Sequence, residues 1–227
     1  MSPSRHLRIL TLSLLLGAAS LSAADQAAPK REGIEWLDVW VTSGNKPAAS
    51  PRVLLIGDSI TRAYYGEAAK AMGDKVVCDR LATSAGLGDP LLPLQIELML
   101  HQYHYDVVHM NNGMHGWDYS ESEYGAAIRP LLKVLQRGAP QARLIWATTT
   151  PTAGGAQDRN PRIIERNRLV RTALAGTDVV IDDLYAVIAA DATVISKDGV
   201  HMDPKGSAAL GAQVARAVAA ALAPGGK

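Results

Sequence analysis

The sequence predicts a three-layer α/β/α domain around a parallel five-stranded sheet of strand order 2-1-3-4-5. From Pro51 onward, short apolar runs rich in Val, Ile and Leu alternate with amphipathic stretches of helical length, the pattern of a parallel sheet covered on both faces. Right-handed crossovers between parallel strands leave few topologies. In the order 2-1-3-4-5 the winding reverses between the first and third strands, and a ligand crevice opens outside their carboxyl ends.

The first predicted strand is Arg52–Ile56, ending at Gly57, and a helix follows over Thr61–Met72. Val76–Cys78 is the second strand and Leu91–His101 the next helix. Asp106–Asn111 forms the third strand. The helix after it, Glu121–Arg137, is stopped by Gly138 and Pro140. Arg143–Thr148 is the fourth strand, and Asn160–Ala175 a helix with Ile163, Ile164, Leu169 and Val170 on or near one face. A short fifth strand, Val179–Ile181, precedes helical segments over Leu184–Ala190 and Pro204–Leu222.

Three regions divide the chain. Residues 1–24 read as a secretory signal peptide: Arg5, His6 and Arg8 are followed by the apolar run Ile9–Leu16, then small residues, with Ser22 and Ala24 at a cleavage site before Asp25. The run is too short to span a bilayer comfortably. This predicts a periplasmic or secreted protein with no stable membrane insertion after cleavage. Residues 25–50 read as an N-terminal extension lying on the domain, anchored by Trp36 and Trp40. Residues 51–227 form the domain itself.

Composition narrows the function classes. The 227 residues are 48% hydrophobic and 20% charged, with a formal net charge of +1. That length suits one domain with an adequate core, and the charge balance gives no reason to expect a nucleic-acid partner. Cys78 is the single cysteine, so an intramolecular disulfide is excluded. It falls in a predicted buried strand and reads as a structural thiol. No His/Cys cluster has the spacing of a metal site, and no metal or cofactor is expected.

Four polar loop motifs follow three adjacent strands or precede the last helix. Gly57-Asp58-Ser59-Ile60 puts a serine at the end of the first strand, where a helix N-terminus supplies partial positive charge. Helix capping is the plain alternative for Asp58 or Ser59. Asp198-Gly199-Val200-His201 separates an acid and a base by three positions in one loop. A serine hydroxyl needs a base to become nucleophilic, and a carboxylate fixes the tautomer of that base. An Asp-Gly turn is the plain alternative for this motif. Asn111-Asn112-Gly113-Met114-His115-Gly116 follows the third strand, where a side-chain donor would serve a developing oxyanion. Thr83 to Pro90, after the second strand, carries Gly86 and Gly88, where a backbone N–H can approach a ligand closely.

Together these motifs resemble the GDSL/SGNH hydrolase superfamily over residues 52 to about 222. The resemblance implies a flavodoxin-like, SGNH-type fold and a carboxylic-ester hydrolase without cofactor, with Ser59 as nucleophile and Asp198 and His201 completing a triad. It implies an oxyanion hole from the N–H groups of Ser59 and Gly86, with Gly88 as the alternative glycine. The third motif departs from the family's Gly-x-Asn-Asp: Gly113 falls on the glycine, His115 on the asparagine and Gly116 on the aspartate. The side-chain donor is then His115, with Asn111 and Asn112 as alternatives. Asp58 and Trp117 are candidate substrate contacts, and Tyr119 stands beside them near the crevice mouth. The stretch Asn111 to Trp117 is also similar to that of a subgroup found among secreted bacterial proteins. The expected substrate is a small-molecule or oligosaccharide ester with a short acyl group, acetyl foremost. Lysophospholipase or arylesterase activity is the alternative, as is a catalytically weak glycan-binding protein on the same scaffold.

Overall fold

A strand that the sequence pattern does not announce opens the fold. In the computed structural model, which describes residues 28–42 and 49–223, Leu37–Trp40 forms β1. The proposed signal peptide lies outside the described residues. The strands that follow are β2 (Arg52–Gly57), β3 (Val77–Thr83), β4 (Val107–Asn111), β5 (Arg143–Ala147) and β6 (Val180–Asp182). Helices α1 (Ser59–Met72), α2 (Leu91–Gln102), α3 (Glu121–Gly138), α4 (Asn160–Leu174), α5 (Leu184–Ala189) and α6 (Pro204–Leu222) connect or close them.

The sheet order is β1-β3-β2-β4-β5-β6. Strands β2 to β6 are mutually parallel and reproduce the expected order, 2-1-3-4-5 when counted without β1. The correction is the sixth strand. β1 pairs antiparallel with β3, Leu37 opposite Thr83 and Trp40 opposite Arg80. The segment read as an extension therefore continues the sheet as its edge. Trp40 is 58% exposed and so is not a buried anchor, whereas Trp36 is partly buried against the His115 ring.

Alternate residues of the central strands feed two cores. Leu54, Ile56, Val108 and Met110 face α2, α3 and α4, meeting Ile96, Ile128, Leu131 and Val170. Val53, Leu55, Val107 and Ile145 face α1, α5 and α6, meeting Tyr64, Ile188, Leu210 and Val214. Burial on both faces explains why these strands read as apolar runs rather than alternating ones. Helix α3 starts at a reciprocal capping box between Ser120 and Glu123. It buries Tyr124, Ile128, Leu131, Leu132 and Leu135, spaced three or four apart along one face.

Strand β3 is longer than the apolar run that marked it, because its polar residues have partners. Asp79 is fully buried and accepts from Arg52 Nε at 2.7 Å, the Thr42 amide at 2.8 Å and the Tyr105 hydroxyl at 3.0 Å. Arg80 pairs with Asp38 of β1 at 2.7 Å. Cys78 is buried in the same strand, and burial pushes its thiol up to about 12, which suits a structural rather than a reactive sulfur.

Candidate active site

Strand β2 ends at Gly57, and the chain turns directly into α1. Asp58 is the N-cap, its Oδ1 accepting from the Ile60 amide at 2.9 Å. Ser59 is thus the first residue of a fourteen-residue helix, in the positive field of its N-terminus. Asp58 is buried, and burial pushes its carboxyl upward against the charges of His115 and His201 and the amides of Ile60 and Thr61. It caps the helix and does not line the cavity beside Ser59, so its assignment as a substrate contact is corrected.

The loop before α6 reaches this serine. His201 Nε2 lies 2.7 Å from Ser59 Oγ, and His201 Nδ1 lies 2.7 Å from Asp198 Oδ2. The other carboxylate oxygen accepts from the amides of Val200 at 2.9 Å and His201 at 3.0 Å. These amides and the imidazole hold Asp198 down at about 2, so it stays a carboxylate and acts as acceptor. The Nδ1 proton then sits toward Asp198, and Nε2 is free to accept from the serine hydroxyl.

The loop has little freedom. Ser196 N donates to His201 O at 2.7 Å, Gly199 N to Ser196 O at 2.9 Å, and Ala153 N to Gly199 O at 2.8 Å. Gly199 has φ +77°, and a side chain there would run into the Ala153 carbonyl. The glycine between acid and base is a requirement of this close approach.

The two loops opposite Ser59 are tied to each other. Asn112 accepts from Leu87 N at 2.8 Å and donates to Ala85 O at 3.0 Å. Asn111 donates to the carbonyls of Ala147 and Thr148, both at 3.1 Å. Both amides are buried and engaged, so the alternative assignments of Asn111 and Asn112 as oxyanion donors are corrected. Gly88 faces Tyr119 and the groove between α2 and α3, away from Ser59. Tyr119 itself is buried, its hydroxyl accepting from Lys30 N at 3.0 Å, so it does not form the crevice mouth.

Gly86 remains, pressed against the His115–Gly116 backbone. A Cβ there would lie 2.7 Å from Gly116 Cα and 2.9 Å from Gly116 N. Main chain cannot rotate aside as a side chain can. Gly86→Ala is expected to cost about 1–3 kcal/mol as an overpacking change, lowering the melting temperature by roughly 2–12 °C. An unchanged thermal melt would contradict this packing.

A cavity of about 380 Å³ opens over Ser59, with Met114, His115, Trp117, Arg159 and Val200 among its walls. Trp117 carries the guanidinium groups of Arg159, Arg162 and Arg166 at 5.2, 5.2 and 4.5 Å. Two participants escaped sequence reasoning. Arg166, fully buried on α4, donates from Nη1 to the carbonyls of Gly113 and His115 and from Nη2 to that of Gly116, each at 2.9 Å. Its spacing from Ile163 and Val170 puts it on the apolar face of the helix, a signal that was available. Glu32 contacts the His115 ring at 3.0 Å, and nothing local in the sequence marks it.

Solved structures share this architecture. A GDSL-like lipase from Bacteroides thetaiotaomicron aligns with a TM-score of 0.61 at 16% identity, over 78% of this chain and 93% of that one. A carbohydrate acetylesterase from Sinorhizobium meliloti aligns with a TM-score of 0.60 at 17% identity, over 75% and 99%. A carbohydrate esterase family 3 protein from Talaromyces cellulolyticus gives 0.60 at 18% identity, over 74% and 96%. The chain has the SGNH-hydrolase fold. No protein-family model matches the sequence, and no curated protein matches it significantly.

Proposed function

We propose that this SGNH-fold chain is an exported serine esterase that removes short acyl groups, acetyl foremost, from a carbohydrate. One observation carries the reaction class: the unbroken chain from Asp198 through His201 to Ser59, with 2.7 Å at each link, opening into a cavity. Export rests on the composition of residues 1–24.

In this reading His201 Nε2 takes the proton of Ser59 as Oγ attacks the ester carbonyl. The Ser59 and Gly86 N–H groups and the His115 ring stabilise the tetrahedral oxyanion. His201 then gives its proton to the leaving alcohol. A water deprotonated by the same imidazole attacks the acyl-enzyme, and collapse of the second tetrahedral intermediate releases the acid and restores Ser59.

The substrate class rests on the cavity. Its volume is at the low end of small-molecule sites. Met114 and Val200 offer apolar wall, while Asp118 and Arg159 offer polar rim. That mixture suits a short acyl group on a hydroxylated alcohol. Two of the similar structures are carbohydrate esterases, which supports the same choice. The test is a fluorophosphonate label combined with an ester panel. Stoichiometric labelling at Ser59 is expected, with acetate release from acetylated oligosaccharides at least about tenfold faster, by kcat/KM, than release of longer acids; such a ratio is about 1.4 kcal/mol of discrimination. Preference for long acyl chains would favour a lysophospholipase. Folded protein that binds glycans but neither labels nor turns over would favour the binding-protein reading.

A further inference from the structure

The segment before β1 is stitched across the mouth of the site. Arg31 Nε pairs with Asp89 at 3.1 Å, and Trp36 N donates to Ser84 Oγ at 2.8 Å. Between them, Glu32 reaches His115, 83 positions away along the chain. Its Oε2 lies 3.0 Å from His115 Nδ1, and its Oε1 accepts from Gly116 N at 3.2 Å. Glu32 is itself held, its amide donating to Glu35 Oε1 at 2.9 Å. The Trp36 ring meets the His115 ring edge-on with centroids 6.1 Å apart.

We propose that Glu32 is a positioning residue that fixes the proton on His115 Nδ1, making the oxyanion donor competent only as the doubly protonated ring. This rests on the proposed role of His115 as that donor. A carboxylate has no proton to give, so the Glu32–His115 bond requires Nδ1–H as donor. A neutral ring with its proton on Nδ1 presents a lone pair at Nε2, which repels an oxyanion. Nε2 donates only when both nitrogens carry protons. Among the described residues Nε2 has no hydrogen-bond partner, and the ring borders the cavity over Ser59. An asparagine amide, the group the family resemblance places at this position, donates at every pH. This chain therefore replaces a pH-independent donor with a cationic one, whose hydrogen bonds to an anion are stronger.

Other charges surround the ring without touching it. Glu35 stands behind Glu32. Asp58 at the N-cap of α1 feels the charge of His115. Arg62 of α1 lies over Trp36. Arg166 of α4 holds the His115 carbonyl. Asp118, Arg159, Asp198 and His201 share the cavity wall. Among the described residues, Glu32 alone hydrogen-bonds to the imidazole.

The two histidines then have opposite requirements. His201 must be neutral to accept the Ser59 proton, so acid suppresses the rate. His115 must carry both ring protons to donate, so base suppresses it. The result is a bell-shaped profile of kcat.

The test is kcat against pH, by acetate release from an acetyl ester of a neutral alcohol, for wild type, Glu32→Gln, His115→Asn and the double variant. Gln keeps an acceptor for Gly116 N but turns an amide N–H toward Nδ1, which must then accept, so the neutral ring carries its proton on Nε2 and donates without being charged. Glu32→Gln is expected to remove the alkaline limb, with KM within about threefold. His115→Asn is expected to abolish that limb, and adding Glu32→Gln to it to change kcat by less than about twofold. A limb that persists in His115→Asn, or that Glu32→Gln leaves in place, overturns the proposal; so does an equal Glu32→Gln loss in both backgrounds. Selective ¹⁵N-histidine spectra of the wild type give a second readout: the neutral His115 ring is expected to keep its proton on Nδ1, and a neutral Nε2–H form overturns the proposal. Wild-type protein that neither labels at Ser59 nor turns over would instead refute the esterase reading.

Discussion

Ser59→Ala is expected to lower turnover by roughly 10⁴–10⁶-fold, with little change in stability. The magnitude follows from the chemistry. His201 and Asp198 have no other proton to move once the hydroxyl is gone, so the remaining groups stabilise an oxyanion that nothing forms. Removing the nucleophile of a triad that acts as a unit costs about as much as removing the whole triad. The stability expectation follows from the surroundings. Among the described residues Ser59 Oγ bonds only to His201 Nε2, at the edge of a solvent-open cavity, and the N-cap function belongs to Asp58. The loss is one hydrogen bond of about 0.5–1.5 kcal/mol, or roughly 1–6 °C in a domain of this size. Steady-state rates on an acetyl ester, set beside a thermal melt, separate the two effects. Residual activity within tenfold of wild type would remove Ser59 from the mechanism.

What the sequence made legible follows a physical division. Helices and central strands were readable because their burial is periodic or continuous: β2, β4 and β5 are apolar runs between two covering layers. Gly57 to Ile60 and Asp198 to His201 were readable because each packs its chemistry into four consecutive residues. The missed strand β1 has Leu37, Val39 and Trp40 substantially exposed. An edge strand with a solvated face and four residues carries too weak an alternation to stand out. The truncated second strand failed for the opposite reason. Asp79 and Arg80 break the apolar run, and their partners Arg52, Tyr105 and Asp38 lie on other elements. The role of Asn112 was hidden likewise, since its amide is engaged by loop carbonyl and amide groups 25 and 27 positions away. Long-range polar pairing decides these cases, and no window of sequence contains it.

Arg166→Met is expected to destabilise the fold strongly and to impair catalysis without touching the triad. The guanidinium is fully buried and bridges the carbonyls of Gly113, His115 and Gly116 while lying between the rings of Trp117 and Tyr124. Methionine approximates the stem but donates nothing, so three carbonyls in the loop after β4 lose their shared donor. The Gly116 carbonyl keeps the Tyr119 amide at 3.2 Å; each of the other two, left unpaired, costs about 1–3 kcal/mol. Partial relaxation toward solvent brings the expected total to about 3–5 kcal/mol, comparable to breaking a buried ion pair, and lowers the melting temperature by roughly 6–20 °C. The catalytic loss has a separate origin. Arg166 fixes the main chain of His115 on one side of the ring while Glu32 fixes Nδ1 on the other. A donor displaced by about 1 Å costs about 10²-fold, so kcat is expected to fall by that order at a temperature where the variant is folded, with fluorophosphonate labelling of Ser59 retained. Arg166→Lys keeps the charge but lacks the planar fork that serves three acceptors at once, and recovers stability only in part. A methionine variant within about 1 kcal/mol of wild type by denaturant titration, and with wild-type kcat, would show that the loop holds its shape without the clamp.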